Sequence, residues 1–498
     1  MNAETAWNAF TDHVGQVESL TNAIGLLEWD QQTHMPKGGA ALRGGSLAVL
    51  SALRHEKLTK PAFGDLLGTL EGAELDPVKA AGVRNYRREY DRAVKVPDAL
   101  VTAQAQARAR AFQTWVQAKQ DDDFAAFLPA LEEVMNLTRQ EADHIRRPEH
   151  ACRYDALLDV FDPGTTVAEL APMFERLGSE LNTFLDAIEG KDGPAYLDDT
   201  FAADGQWALS QELIGKLGYD LGRGRLDRSE HPFTIGMGAG DVRITTHLYD
   251  TDLLSGLGGT IHETGHALYE QGLRQDQDGW GTNHAAGCGI HESQSRLWEN
   301  FIGRSLPFCQ FLAPMLEKHF PGCGVTADQL YGANNRVART LVRVQADEAT
   351  YNLHIIVRFQ LECALFDGDL QVADLEQAWA DRYEQVVGIR PPSAATGVLQ
   401  DVHWASGAIG YFPSYTIGNL YAASLGCALE EALPELWNQV ERGEFQPILS
   451  WLREHIHLRG HEQDAPDIIR AAVGDRDMVD DLMNHLWGRQ GALYGVSR

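Results

Sequence analysis

Two histidines, His262 and His266, are separated by three residues, and a glutamate, Glu263, directly follows the first of them. Residues four positions apart project from the same face of an α-helix, so this spacing brings both imidazoles together only if the segment is helical. Both could then bind one tetrahedral Zn²⁺ at about 2.0 to 2.1 Å, with Glu263 placed to take a proton from water on the metal. We predict a single helix over 261–272 that ends near Gly272.

A third ligand is needed, because the same spacing also arises by chance on amphipathic helices whose histidines are buried or solvated. Catalytic zinc sites use three protein ligands and keep a fourth position open. Glu292, at the start of a second helical segment, is the predicted third ligand. Glu299 lies seven residues further on and on nearly the same helix face, so it is the alternative.

Helical periodicity dominates most of the chain. From about residue 5 to 190 apolar residues recur at intervals of three and four, as in 124–145. Glycines become frequent between about 192 and 259, where the alternation of 241–250 predicts a strand of a small sheet. The helical pattern then returns and runs without interruption over 327–366.

The three regions show no sign of separate domains. No repeat and no low-complexity linker marks a domain border, so we predict that residues 1–498 form a single catalytic unit. Within this unit, residues 1–190 form a helical half. Residues 191–498 form the half that contains the small sheet, the helix of the two histidines and the zinc site.

The charge balance argues against polyanionic partners. The net charge is −29, from 42 Lys and Arg against 71 Asp and Glu, and such a surface repels nucleic acid and anionic membranes. No stretch of about 18 apolar residues and no export signal is present, which favours a cytoplasmic location. The six cysteines lie far apart without a Cys-x-x-Cys pair, so we expect reduced thiols.

The chain resembles the M32 metallocarboxypeptidases, the thermostable carboxypeptidase Taq type, from about residue 25 to its end. Five motifs beyond the two-histidine segment carry the resemblance, and they occur in the order of the family. They are His231-Pro232-Phe233, Asp241 with Arg243 and Thr245, HESQ at 291–294, VRVQAD at 342–347, and GVLQDVHW at 397–404. The segment 29–45 is similar to the N-terminal signature of the same family.

The resemblance implies a mainly α, gluzincin-like helical metallopeptidase with a deep active-site groove, related in shape to neurolysin and angiotensin-converting enzymes, and residues 1–190 would form a wall of that groove. It also implies one Zn²⁺ per subunit, with Co²⁺ able to substitute, held by His262, His266 and Glu292, and a homodimeric assembly. The implied activity is hydrolysis of the C-terminal peptide bond of peptides with a free C-terminus, releasing single amino acids, with Glu263 as the general base.

A carboxypeptidase must bind the free α-carboxylate of its substrate, and arginine suits this task because its planar fork contacts both oxygens. Arg343, in the VRVQAD motif, is the first candidate, and its alternative role is an ion pair with Asp347 one helical turn away. Arg243 is the second candidate, and it can instead brace Asp241 or the sheet.

Hydrolysis also needs a neutral donor for the oxyanion of the tetrahedral intermediate. By resemblance, His403 and Tyr415 are the catalytic candidates, although both can equally be buried structural residues. Tyr411 shares a face with Tyr415 if their segment is helical, and it is a candidate for substrate binding. Gln294 is expected either to bind substrate backbone or to have a structural role, and Asp401 is a candidate partner for an imidazole on the metal.

Two other functions are compatible with the same motifs. An oligopeptidase or dipeptidyl carboxypeptidase would use the same zinc site with its anchor further along the groove. A peptide-binding homologue without activity would retain the fold alone, but the intact Glu263 argues against it, because binding a metal does not require a general base.

Overall fold

The computed structural model describes residues 2–197 and 200–498, and those residues form twenty α-helices and one three-stranded sheet. The helices are α1 (Ala3–Thr33), α2 (Ala40–Leu58), α3 (Pro61–Glu71), α4 (Pro77–Lys95), α5 (Asp98–Asp121), α6 (Phe124–Ile145), α7 (Arg153–Phe161), α8 (Val167–Ile188), α9 (Ala203–Leu217), α10 (Leu253–Gly272), α11 (Cys288–Arg296), α12 (Leu306–His319), α13 (Ala327–Asn334), α14 (Tyr351–Asp367), α15 (Leu375–Val387), α16 (Pro413–Ala432), α17 (Leu436–Glu441), α18 (Gln446–His455), α19 (Ala465–Val473) and α20 (Met478–Leu486). The strands are β1 (Gly224–Arg228), β2 (Thr234–Gly236) and β3 (Val242–Thr246).

Capping residues explain where several of these helices begin and end. The Asp123 carboxylate accepts a hydrogen bond from the Ala126 amide and so satisfies a free donor in the first turn of α6. Gly368 ends α14 with a φ of 91°, a conformation that is strained for residues with a side chain. The predicted helix over 124–145 coincides with α6, and the predicted end near Gly272 coincides with the end of α10.

The sheet lies beside α10. Its strand order is β1-β3-β2, with β1 parallel and β2 antiparallel to β3, so Thr234 on β2 pairs with Ile244 on β3. The hydroxyls of Thr246 and Thr260 are 2.7 Å apart and join β3 to α10 in the buried interior. A mainly helical fold with a small sheet next to the two-histidine helix is therefore confirmed.

Buried apolar side chains form two clusters. The smaller cluster lies among the N-terminal helices and includes Phe10, Phe63 and Tyr86. The larger one extends from α5 to Tyr494 near the C-terminus and includes residues on both sides of position 190. The core therefore does not divide at residue 190, and the division into two halves there stays a prediction.

Two further sequence predictions concern the cysteines and membrane insertion. All six cysteines are free, although only Cys309 is fully buried. Among the helices of the described residues, none combines the length and apolar character that a membrane span requires.

The predicted continuous helix over 327–366 is wrong. Between α13 and α14 the chain is irregular apart from a 3₁₀ turn at Arg343–Gln345. The Asp347 carboxylate accepts hydrogen bonds from the amides of Ala349 and Thr350, at 3.0 Å each, and so caps the approach to α14. Because Asp347 is used in this way and the turn is not α-helical, the ion pair considered between Asp347 and Arg343 does not form.

Two glycines should respond in opposite ways to an added methyl group, because one lies at the contact between α4 and the chain before α11 and the other faces open space. A Cβ built at Gly82 would lie 1.9 Å from the Trp280 carbonyl oxygen, whereas a Cβ at Gly15 in α1 has no atom within 4 Å. We expect Gly82→Ala to destabilise the fold by about 1–3 kcal/mol through overpacking. Gly15→Ala should stabilise it by about 0.5–1 kcal/mol, because glycine is disfavoured within a helix.

Urea unfolding of both variants and the parent, followed by circular dichroism, tests this expectation. A Gly82→Ala midpoint equal to that of the parent would contradict the close approach of α4 to Trp280.

Candidate metal centre

Helices α10 and α11 bring three potential metal ligands to one point. The Oε2 atom of Glu292 lies 3.7 Å from His262 Nε2 and 3.4 Å from His266 Nε2. Ligand atoms about 2.0–2.1 Å from a tetrahedral ion lie about 3.4 Å apart, so one ion could contact all three. A Cβ at Gly265 would lie 2.6 Å from the Gln294 carbonyl oxygen, so the missing side chain permits this close helix packing.

The outward nitrogens of both imidazoles are hydrogen-bonded. His262 Nδ1 lies 2.8 Å from a carboxylate oxygen of Glu299, and His266 Nδ1 lies 3.1 Å from the carbonyl oxygen of His291. Both partners are acceptors, so each Nδ1 carries the proton and each Nε2 offers a lone pair to a metal. Glu299 thus contacts the far side of the ring. It lies on a π-helical turn, 297–302, which displaces it from the α-helical face that Glu292 occupies.

Arg296 fixes the two carboxylates of this centre. Its Nε donates to Glu292 Oε1 at 2.6 Å, and its Nη1 donates to Glu299 Oε2 at 3.1 Å. Glu292 consequently keeps its other oxygen, Oε2, directed at the imidazoles. Burial alone would raise the pKa of Glu299, but the charge of Arg296 and the bond with His262 outweigh it and lower the pKa to about 2.

Glu263 is 7% exposed and lies under strand β2. The Thr234 hydroxyl is 2.7 Å from Glu263 Oε2 and 3.0 Å from the Glu263 carbonyl oxygen. Burial raises the pKa of the Glu263 carboxyl, which disfavours its charged form. Thr234 was not predicted as a site residue, although it directly follows the His-Pro-Phe motif.

Arg343 belongs to a buried cluster of two guanidiniums and one carboxylate. It donates to Asp401 Oδ1 from Nε at 3.0 Å and from Nη2 at 2.9 Å, while Arg358 donates to Asp401 Oδ2 at 2.6 and 2.8 Å. The predicted role of Asp401 beside an imidazole on the metal is therefore wrong. Burial alone would raise the pKa of Asp401, but the two arginines hold it well below its usual range. One positive charge remains unbalanced within this trio.

Tyr351 connects this cluster with the metal centre. Its hydroxyl accepts a hydrogen bond from Arg343 Nη1 at 2.8 Å, and the guanidinium of Arg296 lies 4.6 Å from the centre of its ring. The candidate carboxylate anchor is thus linked to the candidate ligand Glu292 through Tyr351 and Arg296.

His403, Tyr411 and Tyr415 lie together. His403 Nε2 is 3.2 Å from the Tyr415 hydroxyl, and the ring centres of Tyr411 and Tyr415 are 5.2 Å apart. Helix α16 begins at Pro413, so Tyr411 precedes the helix. The expectation that Tyr411 and Tyr415 share one helix face is therefore wrong. Burial lowers the pKa of His403 to about 4 and raises the pKa of Tyr415, so both side chains are neutral near pH 7.

Two candidate substrate-binding residues already form hydrogen bonds with other side chains of the protein. Gln294 has no exposed surface, and its Oε1 lies 3.0 Å from His457 Nε2, which favours the structural alternative. Arg243 donates to both oxygens of Asp241, at 2.9 and 2.8 Å, and lies 4.3 Å from the centre of the Trp29 ring. Arg243 thus braces Asp241, and its role in substrate binding stays a prediction.

Asp162, which follows α7, positions the starts of two helices at this centre. Its Oδ1 accepts a hydrogen bond from the Gly289 amide in α11 at 2.6 Å, and its Oδ2 accepts one from Ser414 in α16 at 2.5 Å. Helix α16 packs directly on a ligand, because a Cβ at Gly418 would lie 2.5 Å from Glu292 Cγ.

The fold is a helical body with a small sheet. One helix supplies two imidazoles in the pattern His-Glu-x-x-His (HExxH), and a second helix supplies a carboxylate. This combination defines the class of helical HExxH metallopeptidases. Residues 9–489 match the family described as carboxypeptidase Taq (M32) metallopeptidase. The chain belongs to this family, so it is a hydrolase of the metallocarboxypeptidase type that uses a metal ion.

Named relatives cover almost the whole chain. It is 40% identical to thermostable carboxypeptidase 1 of Thermus thermophilus over 512 residues, with 99% of this chain and 100% of the relative covered. It is 35% identical to carboxypeptidase 1 of Bacillus subtilis over 503 residues, with the same coverage. The crystal structure of an M32 carboxypeptidase from Deinococcus radiodurans has a TM-score of 0.95 at 36% identity, covering 99% of this chain and 100% of that chain.

The packing of α16 on Glu292 predicts a selective loss of metal. Gly418→Ala would push the Glu292 side chain away from the two imidazoles. Overpacking of this kind costs about 1–3 kcal/mol, so we expect metal affinity to fall by about tenfold or more. Competition with a chelating dye measures this affinity.

Gly426→Ala is the matched control, because it adds the same methyl group two turns further along α16, against the Phe301 ring. It should lower the unfolding temperature and leave metal affinity unchanged. Equal metal affinity in the parent and the Gly418→Ala variant would contradict the packing argument.

Proposed function

We propose that this protein is a zinc-dependent carboxypeptidase that removes single amino acids from the C-termini of peptides. The observation that carries the proposal is the convergence of His262 Nε2, His266 Nε2 and Glu292 Oε2 on one point. The proposal is also supported by membership of the M32 family and by the names of the relatives.

The donor set suits Zn²⁺. Two neutral imidazole nitrogens and one carboxylate oxygen are a common three-ligand set of zinc peptidases, and Co²⁺ is expected to substitute. A bound zinc ion acts as a Lewis acid that polarises the scissile carbonyl and makes water acidic enough to react at neutral pH. The contacts of His262 with Glu299 and of His266 with the His291 carbonyl hold both rings in the tautomer that this role requires.

Glu263 is the proposed general base. Its position one residue after His262 places it about 100° round the helix from that ligand, and Thr234 holds one of its oxygens. Glu263 would accept the proton of the attacking water and then deliver it to the leaving amine. Neutral His403 and Tyr415 are the proposed donors to the oxyanion, supported by their mutual contact and by the position of Tyr415 one turn before Gly418 in α16.

Arg343 is the proposed anchor for the substrate α-carboxylate. The excess positive charge of the cluster formed with Arg358 and Asp401 would be balanced by one incoming carboxylate. Tyr351 links this cluster to Arg296 and hence to the metal ligands, which supports an anchor next to the last peptide bond. Tyr411 remains a proposed substrate contact. The cytoplasmic location and the homodimer also stay predictions.

The two functions differ in the distance between anchor and metal: removal of single residues needs room for one residue beyond the scissile bond, whereas a dipeptidyl carboxypeptidase needs room for two. Timed mass spectrometry of a defined peptide distinguishes the two functions. Single-residue steps support the proposal, and release of dipeptides or internal fragments would replace it with the oligopeptidase alternative.

Glu263→Gln should reduce turnover by about 10²–10⁴-fold, because the amide cannot accept the proton of water. Its zinc content should remain that of the parent, since Glu263 is not among the predicted ligands. Glu376→Gln, at an exposed position on α15, is the matched control and should retain full activity. A Glu263→Gln variant with unchanged turnover would remove this residue from the mechanism and favour a different base.

Arg343→Ala should abolish the preference for peptides with a free C-terminus over the same peptides with an amidated C-terminus. Comparison of kcat/KM for the two substrate forms measures that preference. Arg243→Ala is the control, because Arg243 already pairs with Asp241 and should leave the preference intact. If the preference survives in Arg343→Ala and disappears in Arg243→Ala, the anchor is Arg243.

A further inference from the structure

A cavity of 470 Å³ lies between helix α4 and the chain around α7, and none of the metal-centre residues lines it. It occupies the boundary between the two hydrophobic clusters, with α3 and α4 on one side and Ile145 and Ala156 on the other. Its volume falls in the range of about 300–1,000 Å³ that is typical of small-molecule sites.

The wall of this cavity is strongly basic, although the whole chain carries a net charge of −29. Positive side chains outnumber negative ones by six to three: Arg84, Arg87, Arg88, Arg92, Lys95 and Arg147 against Glu71, Asp91 and Asp159. Residues 84, 88, 92 and 95 of α4 recur at intervals of three and four and therefore line one face of that helix.

Three of the six cations are already neutralised. Arg87 pairs with Glu71 at 2.7 Å, and Arg147 pairs with Asp159 at 2.6 Å. Arg88 makes two hydrogen bonds, of 2.6 and 2.9 Å, to the carboxylate of Asp464 at the start of α19. These ion pairs connect the elements of the wall, so the three arginines carry no unpaired positive charge that a ligand could neutralise.

The other three cations have no carboxylate partner within 4.0 Å among the described residues. Arg84 contacts the carbonyl oxygen of Glu462 at 3.3 Å, and Arg92 lies 3.5 Å from the carbonyl oxygens of Asp159 and Val160. Burial lowers the pKa of both guanidiniums, and the nearby carboxylates, chiefly Asp464 for Arg84 and Asp159 for Arg92, offset this effect only in part. Lys95, the third, is exposed at the end of α4.

The rest of the wall is apolar. Leu70, Leu75, Val83, Ile145 and Ala156 face the same space. A ligand that matches this wall combines a compact group of about two negative charges with a small apolar body. A phosphomonoester carries about −1.5 to −2 charges at pH 7 and offers three oxygens to guanidinium donors.

We propose that this cavity is a binding site for a phosphomonoester with a small apolar group, in which Arg92 and Lys95, one turn apart on α4, contact the phosphate. The apolar group lies against Leu75, Val83 and Ile145. The site is separate from the metal centre, and its occupation does not depend on the proposed peptidase activity.

Isothermal titration of the full-length, metal-loaded protein with phenyl phosphate tests the proposal. We expect saturable binding of one molecule per chain with a Kd below about 1 mM. Benzyl alcohol, which has a ring but no charge, should not bind measurably. Equal binding of the two compounds would overturn the proposal, and so would the absence of phenyl phosphate binding.

Two substitutions locate the site. Arg92→Gln should weaken phenyl phosphate binding by about tenfold or more, and Arg92→Lys should restore part of the affinity. Arg110→Gln is the control, because Arg110 lies on α5 in an exposed pair with Glu133 and does not line the cavity. Binding that is unchanged in Arg92→Gln would assign the probe to another place, such as the metal centre, and would overturn the proposal.

Ala80→Trp provides a test that removes no charge. Ala80 lines the cavity but is exposed, so a large side chain there fills the space without disturbing the buried ion pairs. We expect it to abolish phenyl phosphate binding while the unfolding temperature stays within a few degrees of the parent. Retained affinity in this variant would contradict the cavity as the site.

Discussion

Arg296 is the charge on which the arrangement of the metal centre depends. Two carboxylates, buried Glu292 and half-buried Glu299, lie about two helical turns apart beside two imidazoles, and without a cation between them they would repel. Arg296 bonds to one oxygen of each and thereby divides their functions. Glu292 faces the ligand point, while Glu299 holds the outer nitrogen of His262. The long helices serve mainly to bring these few groups into register.

Sequence reasoning recovered the parts of this centre that depend on local spacing. The four-residue interval of His262 and His266 is a property of one helix, and the bounds of α6 also follow from a local pattern. Arg296 could also have been found, since it lies four residues after Glu292 on the same helix. Thr234 could not, because its contact with Glu263 depends on how a strand packs against α10, which no local period encodes.

The errors have two physical origins, namely partners that are distant in sequence and a local side chain that replaces helical hydrogen bonds. In the sequence, Asp401 is a candidate partner for an imidazole on the metal, because ligating histidines almost always donate their other N–H to an acceptor. Its true partners are Arg343 and Arg358, 58 and 43 positions away. The helical prediction over 327–366 fails for a local reason, because the Asp347 carboxylate replaces helical acceptors for the amides of Ala349 and Thr350. In the same way, the net charge of −29 predicts neither the surplus charge beside Asp401 nor the basic wall of the cavity.

Helix α7 forms part of the cavity wall through Ala156 and Asp159, and the residue after its last turn is Asp162. The Asp162 carboxylate accepts hydrogen bonds from the beginnings of both α11 and α16. The C-terminal part of α7 therefore contacts the cavity through Asp159 and, three residues later, the starts of two helices through Asp162. A substitution that displaces the end of α7 would therefore disturb the starts of α11 and α16 together, although it lies outside the three candidate ligands.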